Sequence, residues 1–171
     1  AIICNKSAIK KCGNIPYIIS NDTVDALGII ANNLKKAMGQ PFTIGITGTN
    51  GKTSVTKLTA EILKQSSSVS TTIGNYNNDI GLPLSIFKSF NNQVHKCVYE
   101  LGASKKNDIS KLVNICEPNM TTLLNVSEAH MQSFGNMKNL VSTKEEIFSH
   151  PRTLQVVLNK DDLYYSKWAE L

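Results

Sequence analysis

The sequence predicts an α/β fold in which a mostly parallel sheet is flanked by helices. Short apolar segments of strand length alternate along the chain with longer segments in which apolar residues recur every three or four positions. A Gly-rich loop joins one of these strands directly to a helix. The 171 residues are 41% hydrophobic and 18% charged, which is the composition of a globular protein with a core.

The elements predicted in the first half of the chain are separated by polar stretches or by Gly and Pro. They are a strand at 15–19, a helix from Asp22 to about Met38, a strand at 42–47, a helix from Lys52 to about Gln65, a polar loop at 75–79 and a helix whose first turn contains Pro83. Asp22 is the expected N-cap of the first helix, and Gly39-Gln40-Pro41 ends it. The expected inner face of the second helix consists of Val55, Leu58, Ile62 and Leu63.

The second half of the chain continues the alternation. Its predicted elements are a strand at 97–101, a helix capped by Asp108, a strand at 120–126, a helix at 137–149 and a strand at 153–158. The helix after Asp108 carries one apolar face, formed by Ile109, Leu112, Val113 and Cys116. Because strands alternate with helices, the strands are expected to be parallel, with helices on both faces of the sheet.

Composition and charge exclude several classes of protein. No apolar run is long enough to span a bilayer. The formal net charge is +5, but the basic residues are dispersed and do not interleave with aromatic residues, which argues against nucleic-acid binding. The four cysteines are scattered without a C-x-x-C pair, so we expect reduced, mostly buried thiols in a cytoplasmic protein. We also expect a monomer.

The most informative segment is the loop Gly45–Thr53 between a predicted strand and a predicted helix. Such a loop points backbone N–H groups and the positive end of the helix dipole at a polyphosphate. Lys52 is expected to reach the terminal phosphates of ATP, and the Thr53 hydroxyl to ligate Mg²⁺. The strict phosphate-loop pattern requires Gly where Ile46 stands, so a Gly-rich turn that merely starts a helix is the alternative. The expected ATP-binding residues are Gly48, Thr49, Asn50, Gly51, Lys52, Thr53 and Ser54.

Two further residues follow predicted strands and are candidates for holding a metal ion at the same edge of the sheet. Glu100 ends an apolar strand, and ligands of open α/β sheets bind beyond the carboxyl ends of strands. A carboxylate there can hold Mg²⁺, although a surface carboxylate at a strand end is the alternative. His130 follows the strand at 120–126 by a short loop. Because hard cations prefer oxygen ligands, a structural role for His130 stays open beside a metal-binding one.

Lys144 occupies an unexpected position on the predicted helix at 137–149. It lies three residues after Val141 and four before Phe148, on the same side of the helix as these apolar residues. A buried ammonium group has a lowered pKa, and the neutral amine can react with CO₂ to form a carbamate, an anion that can ligate a cation. The alternative is a lysine at the edge of the apolar stripe whose ammonium group reaches water.

Several segments together resemble the Mur ligase family, and within it the branch that adds D-alanyl-D-alanine to a peptidoglycan precursor. Thr47–Thr53 is similar to the ATP-binding signature of the family, which folylpolyglutamate and cyanophycin synthetases share. Gly74–Leu84 resembles the pattern G-N-x-N-N-x-I-G-x-P, and Tyr99–Ala103 resembles a strand end with the sequence E-L-G-A. Asn125–Gly135 and Lys144–Phe148 are together similar to the run E-A-H…F-G…K-x-E-I-F.

The resemblance implies an ATP-dependent amide-bond ligase that joins UDP-N-acetylmuramoyl-tripeptide to D-alanyl-D-alanine through an acyl phosphate. It implies that Lys52 and Thr53 bind the phosphates of ATP and the first Mg²⁺. Glu100 and His130 would hold metal ions, and Lys144 would be a carbamylated lysine that also ligates metal. The catalytic residues would then be Lys52, His130 and Lys144. The residues expected to face the UDP-linked substrate are Asn75, Asn77 and Asn78.

The same resemblance predicts how the chain is divided. Residues 1–20 are expected to be the tail of an N-terminal UDP-binding domain, residues 21–40 a connecting helix, and residues 41–171 an incomplete central ATP-binding domain. The later His- and Asn-containing segment of the family and its C-terminal domain have no counterpart here, so we expect a fragment or a degenerate copy of a larger ligase. The alternatives are another ligase of the superfamily and a nucleotide-binding module without turnover.

Overall fold

The chain folds into alternating strands and helices. The structure is a computed structural model that describes residues 1–90, 93–128 and 131–170. Its strands are β1 (Ile2–Cys4), β2 (Tyr17–Ile19), β3 (Phe42–Thr47), β4 (Val69–Thr71), β5 (Lys96–Glu100), β6 (Met120–Leu123) and β7 (Gln155–Leu158). Its α-helices are α1 (Thr23–Ala37), α2 (Lys52–Lys64), α3 (Gly81–Lys88), α4 (Asp108–Cys116), α5 (Met131–Phe134), α6 (Met137–Glu145) and α7 (Tyr165–Trp168). Short 3-10 helices lie at Lys6–Lys11 and Glu146–Phe148.

A five-stranded sheet with the strand order β4-β5-β3-β6-β7 forms the centre of the molecule. All of its neighbouring strands are parallel, which confirms the predicted fold class. β1 and β2 pair with each other in a separate two-stranded parallel sheet. Because parallel strands point the same way, the segments that follow β3, β5 and β6 meet at one edge of the large sheet.

Helices cover both faces of this sheet, as predicted. On one face, Ile44, Ile46 and Val98 pack against Ala60 of α2. On the other face, buried residues of β5 and β6 pack with residues of α1, α3, α4 and α6. Adjacent residues of β5 serve the two layers, since Val98 faces α2 and Tyr99 faces the opposite helices. Each fully buried aliphatic side chain contributes about 1.5–3 kcal/mol, so the two layers hold the strand ends firmly in place.

The observed element boundaries largely match the predictions. Asp22 caps α1, because its Oδ1 accepts hydrogen bonds from the backbone N–H groups of Val24 at 2.8 Å and Asp25 at 3.1 Å. α6 and the 3-10 helix after it fill the helix predicted at 137–149. β6 ends at Leu123, earlier than the predicted end at 126, because the following backbone turns to contact the loop after β3.

The inner face predicted for α2 is partly wrong. Leu58 and Ile62 are 64% and 69% exposed. The buried residues of α2 are instead Thr56 and Ala60, which lie against the sheet. Hydrophobic periodicity finds apolar positions only, so it missed a helix that approaches the sheet through small side chains.

β4 was not predicted from the sequence. It consists of three residues after a serine-rich stretch and pairs with β5 at the margin of the sheet. Its central residue, Ser70, is buried, and its hydroxyl lies 3.2 Å from the Tyr99 hydroxyl. A strand this short with polar side chains depends on its neighbours, which a local pattern cannot show.

The thiols agree with the prediction. Cys4, Cys12, Cys97 and Cys116 are all free and buried. Burial raises the pKa of the Cys116 thiol to about 12, so this group stays protonated at neutral pH. Among the described residues, no helix is both long and apolar enough to cross a membrane.

Candidate functional site

The loop after β3 turns sharply into α2. Gly51 is the N-cap of α2 and has φ +80°, a left-handed conformation that favours glycine. A Cβ atom at Gly48 would lie 3.1 Å from the Leu124 Cβ, so a larger residue would push the loop away from the segment after β6. Within the described part of the chain, no side chain caps the first turn of α2. The N–H groups of this turn therefore lie at the positive end of the helix without a side-chain partner, an arrangement that suits an anion.

Asn125 holds this loop in place from the neighbouring strand end. Its backbone carbonyl accepts a hydrogen bond from the Thr49 N–H at 2.9 Å, and its Oδ1 accepts one from the Asn50 N–H at 3.0 Å. Its Nδ2 donates to the Asn50 carbonyl at 3.1 Å. The amides of residues 49 and 50 therefore serve the loop itself, which leaves the first turn of α2 to face a ligand. Sequence reasoning missed this role for Asn125.

Lys52 lies over the loop and lines the adjoining cavity. Its Nζ donates to the Gly48 carbonyl at 3.0 Å and to the Thr49 carbonyl at 2.9 Å. These two contacts hold a positive charge beside the N-terminus of α2. The combination of a positive side chain and the N-terminal end of a helix suits a phosphate group.

Glu100 is buried at the carboxyl end of β5, next to the loop, with 3% of its surface exposed. Its Oε2 accepts a hydrogen bond from the Thr53 Oγ1 at 2.7 Å, and its Oε1 accepts one from the Asn77 Nδ2, also at 2.7 Å. The alternative of a surface carboxylate is therefore wrong. The structure brings together two of the four predicted metal ligands, Thr53 and Glu100.

The donor set fits Mg²⁺. Thr53 and Glu100 offer a hydroxyl and a carboxylate, which are the hard oxygen ligands that this ion prefers. Among the described residues, no three His, Cys, Asp or Glu side chains gather into a dedicated metal cage. A magnesium ion at this position would complete its coordination with water and phosphate oxygens, as it does in other nucleotide sites.

Lys144 projects from α6 into the same cavity and is only 4% exposed. Burial and the nearby charge of Lys52 lower the pKa of Lys144 to about 8, and Glu100 offsets part of this shift. The alternative of an ammonium group that reaches water at the helix edge is therefore wrong. His130, the remaining predicted metal ligand, lies outside the described residues.

The asparagine-rich loop before α3 forms another wall of the cavity. Asn78 Oδ1 accepts hydrogen bonds from the N–H groups of Ile80 at 3.2 Å and Gly81 at 2.7 Å, so it orders the start of α3. Asn77 contacts Glu100, and both asparagines line the cavity. Asn75 is exposed. A role of these residues in substrate binding stays a prediction.

Lys52, Asn77, Asn78 and Lys144 line a cavity of about 500 Å³ at the carboxyl edge of the sheet. Its charged lining consists of Lys52, Lys105, Lys111, Lys144, Asp79 and Asp108. The excess of lysines favours anionic ligands. Sequence reasoning did not identify Lys105 or Lys111 as cavity residues, although Lys105 follows the strand end at Glu100 by five positions and Lys111 lies on the next helix.

The predicted capping role of Asp108 is wrong. Asp108 is the first residue of α4, and its Oδ2 accepts hydrogen bonds from the N–H groups of Ser104 at 2.9 Å and Lys105 at 3.0 Å. The carboxylate at the start of α4 comes instead from Glu146, which accepts from the N–H groups of Asn107 at 2.8 Å and Ser110 at 3.0 Å. Glu146 thereby ties the segment after Lys144 to the loop that forms the opposite wall of the cavity.

Replacing Glu146 with glutamine tests this link. The substitution leaves one amide N–H without a good acceptor, so we expect the free energy of unfolding to fall by about 1–3 kcal/mol, the range for a hydrogen bond to a charged group. Denaturant unfolding of the Glu146→Gln variant measures the change. Glu61→Gln is the matched control, because Glu61 is exposed in a surface ion pair with Lys64 and its loss should cost less than about 0.5 kcal/mol. Equal changes in the two variants would contradict the assignment.

Comparison with protein families and curated sequences gives a consistent result. The family model for the Mur ligase middle domain matches residues 46–171. A UDP-N-acetylmuramoyl-tripeptide--D-alanyl-D-alanine ligase from Buchnera aphidicola subsp. Acyrthosiphon pisum is 38% identical over 159 residues, which are 92% of this chain and 34% of the relative. The ligase of the same name from Escherichia coli is 32% identical over 159 residues, or 92% of this chain and 35% of the relative. The chain therefore spans about a third of the length of these relatives.

Solved structures agree with this result. A crystal structure of MurF from Acinetobacter baumannii matches with a TM-score of 0.89 and 27% identity, covering 99% of this chain and 37% of that one. The MurF ligase from Thermotoga maritima, solved in complex with ADP, matches with a TM-score of 0.86 and 31% identity, covering 98% and 38%. The folylpolyglutamate synthase of L. casei in its apo form matches with a TM-score of 0.62, 15% identity and coverage of 96% and 49%, which shows a shared fold alone.

Proposed function

The chain belongs to the Mur ligase family, and we propose that it forms the ATP-binding centre of a ligase that adds D-alanyl-D-alanine to UDP-N-acetylmuramoyl-tripeptide. The observation that carries the proposal is the contact of Glu100 with Thr53, next to Lys52, which lines one cavity together with Lys144. The names of the curated relatives support the choice of substrates.

We propose the following division of the chain. Residues 41–171 belong to the central ATP-binding domain, residues 21–40 form a connecting helix, and residues 1–20 are the tail of a UDP-binding domain. Two observations support this division: the match to the middle-domain model begins at residue 46, and β1 and β2 form a sheet of their own.

In the proposed reaction, the terminal carboxylate of the tripeptide attacks the γ-phosphorus of ATP, and ADP leaves. The amine of D-alanyl-D-alanine then attacks the acyl phosphate, and inorganic phosphate leaves. The N–H groups of residues 51–54 and the Lys52 ammonium hold the transferred phosphoryl group and offset its growing negative charge. Thr53 and Glu100 would hold Mg²⁺, which would neutralise phosphate charge. The ADP complex of the Thermotoga maritima relative supports nucleotide binding here.

The proposed role of Lys144 is that of a carbamate. Its neutral amine would add to CO₂ with release of a proton, and the resulting anion would be a ligand for a second metal ion, for which His130 is the other proposed ligand. Burial in the cavity and a pKa of about 8 support this role, since about half of the lysine is neutral at pH 8 and about a tenth at pH 7. Carbamylation should therefore increase as the pH rises through this range, which ¹³C NMR with labelled bicarbonate can measure.

The loop that contains Asn75, Asn77 and Asn78 is proposed to face the UDP-linked substrate. Asn77 and Asn78 lie in the cavity lining, which supports this.

The protein is proposed to act as a monomer in the cytoplasm. The free thiols suit a reducing compartment, which also contains ATP.

Phosphate release by the purified protein tests the proposed activity. We expect release from ATP only when Mg²⁺, UDP-N-acetylmuramoyl-tripeptide and D-alanyl-D-alanine are all present. Release that depends on glutamate instead of the dipeptide would assign another ligase of the superfamily. Failure to bind ATP or ADP in the presence of Mg²⁺ would overturn the proposal.

The second candidate function is a nucleotide-binding module without turnover, because the predicted residues that the structure brings together, Lys52, Thr53 and Glu100, all belong to the proposed nucleotide and metal site. Binding of ATP and Mg²⁺ without phosphate release, even with both substrates present, would identify such a module. The same assay therefore separates the two functions.

A further inference from the structure

Asn77 is held rigidly beside Glu100 by its own backbone. Its carbonyl accepts a hydrogen bond from the Gly102 N–H at 2.8 Å, and its N–H donates to the Asn75 carbonyl at 2.8 Å. The loop before α3 is thereby attached to the backbone that follows β5. The side-chain amide of Asn77 reaches the Glu100 Oε1 at 2.7 Å from this fixed position.

Gly102 provides the space that this contact requires. A Cβ atom there would lie 2.7 Å from the Asn77 Oδ1 and 2.8 Å from its Cγ, which is closer than such atoms approach in proteins. Its φ is not in the left-handed region, so the absence of a side chain, rather than backbone conformation, makes glycine necessary. The close approach of Gly102 thus serves the placement of the Asn77 amide.

The two oxygens of Glu100 have different partners. Oε1 accepts from Asn77, and Oε2 accepts from Thr53. The backbone of Glu100 is fixed separately, because its N–H donates to the Thr72 Oγ1 at 2.8 Å. The terminal torsion of a glutamate side chain is broad, so the carboxylate plane is set by the groups that bond its oxygens. Among the described residues, Asn77 is the partner that fixes this plane from the side opposite Thr53.

We propose that Asn77 is a positioning residue that orients the Glu100 carboxylate so that Oε2 faces a magnesium ion together with Thr53. This inference rests on the proposed function, because it assumes that Mg²⁺ and a nucleotide bind at this site. Asn77 acts on the metal through Glu100 and does not itself ligate it. Its loss should weaken the binding of Mg²⁺ with nucleotide and leave the binding of nucleotide alone unchanged.

The test measures the affinity for ADP by calorimetry, in excess EDTA and over a series of Mg²⁺ concentrations. We expect Asn77→Ala to raise the Mg²⁺ concentration that half-maximally strengthens ADP binding by about tenfold, the effect of losing one charge-assisted hydrogen bond. The affinity for ADP in EDTA should match that of the wild type, which also reports a folded site. Asn33→Ala is the matched control, since Asn33 is exposed on α1, and it should change neither value.

Two further variants show whether Asn77 acts through Glu100. Gly102→Ala displaces the same amide without altering it and should shift the Mg²⁺ dependence in the same direction. In a Glu100→Gln background, Asn77→Ala should have little additional effect, because the carboxylate on which it acts is gone. An additive effect in this background, or equal weakening of ADP binding with and without Mg²⁺, would overturn the inference alone. Absence of Mg²⁺-dependent ADP binding in the wild type would overturn the proposed function and the inference together.

Discussion

Replacing Lys52 with methionine should reduce phosphate release by about 10²–10³-fold, the scale for the loss of one contact that stabilises charge in a transition state. Methionine keeps most of the length of the side chain but removes the charge and the N–H donors. The ammonium group of Lys52 is held by the Gly48 and Thr49 carbonyls at the start of α2, where a transferred phosphoryl group would lie. Steady-state phosphate release with both substrates at saturation measures the effect.

Lys57→Met provides the control for Lys52→Met. Lys57 lies on the same helix but is exposed, so its loss should leave the rate within about twofold of the wild type. The free energy of unfolding of Lys57→Met should be nearly unchanged, because surface substitutions typically change it by less than about 0.5 kcal/mol. A rate for Lys52→Met close to that of Lys57→Met would show that the loop does not act on a phosphoryl group.

Several predictions that depended on local signals agree with the structure. The strand at 42–47, the loop after it and the helix from Lys52 are adjacent in sequence, so apolar periodicity and glycine spacing were enough to find them. Glu100 was placed correctly because it ends an apolar strand, and the strand order then brought that end beside β3. Lys144 was identified as a candidate site residue because a lysine within an apolar stripe conflicts with the pattern around it.

The features that sequence reasoning missed depend on contacts between distant segments. Glu146 caps α4 by accepting a hydrogen bond from the N–H of Ser110, which lies 36 residues earlier in the chain. Asp108, the residue expected to cap α4, instead accepts a hydrogen bond from the loop that precedes it. Asn125, in the segment after β6, hydrogen-bonds to the loop after β3. Asn77 reaches Glu100 from the loop before α3. Glu146, Asn125 and Asn77 all lie in the segments that resemble the family, but nothing in their local sequence gives the contacts that they make. Only the fold decides which N–H group or oxygen each of them meets.

Replacing Lys144 with methionine should abolish phosphate release but increase stability. The pKa of Lys144 is about 8 in the folded protein, whereas an ordinary lysine has a pKa of 10.5, so the unfolded state binds the proton more tightly and the cost to the folded state is complete below about pH 8. At pH 7 this difference destabilises the folded protein by about 3 kcal/mol, an upper value that relaxation of the site reduces. We expect the free energy of unfolding of Lys144→Met to exceed that of the wild type by about 1–3 kcal/mol at pH 7, in buffer freed of bicarbonate.

The stability gain of Lys144→Met should shrink as the pH rises from about 8 to 10.5, because the unfolded chain then loses its proton as well. Denaturant unfolding at pH 7 and pH 9.5 measures this change, and the gain at the higher pH should be about half as large. Lys138→Met, an exposed change on the same helix, should alter the free energy of unfolding by less than about 0.5 kcal/mol at both pH values.

A Lys144→Met variant that is less stable than the wild type at pH 7 would show that burial of this ammonium group is compensated. Full activity in that variant would remove Lys144 from the mechanism. The combination of lost activity and gained stability is expected only if the lysine is retained for its chemistry, because methionine of similar size would fill the same space at lower free energy.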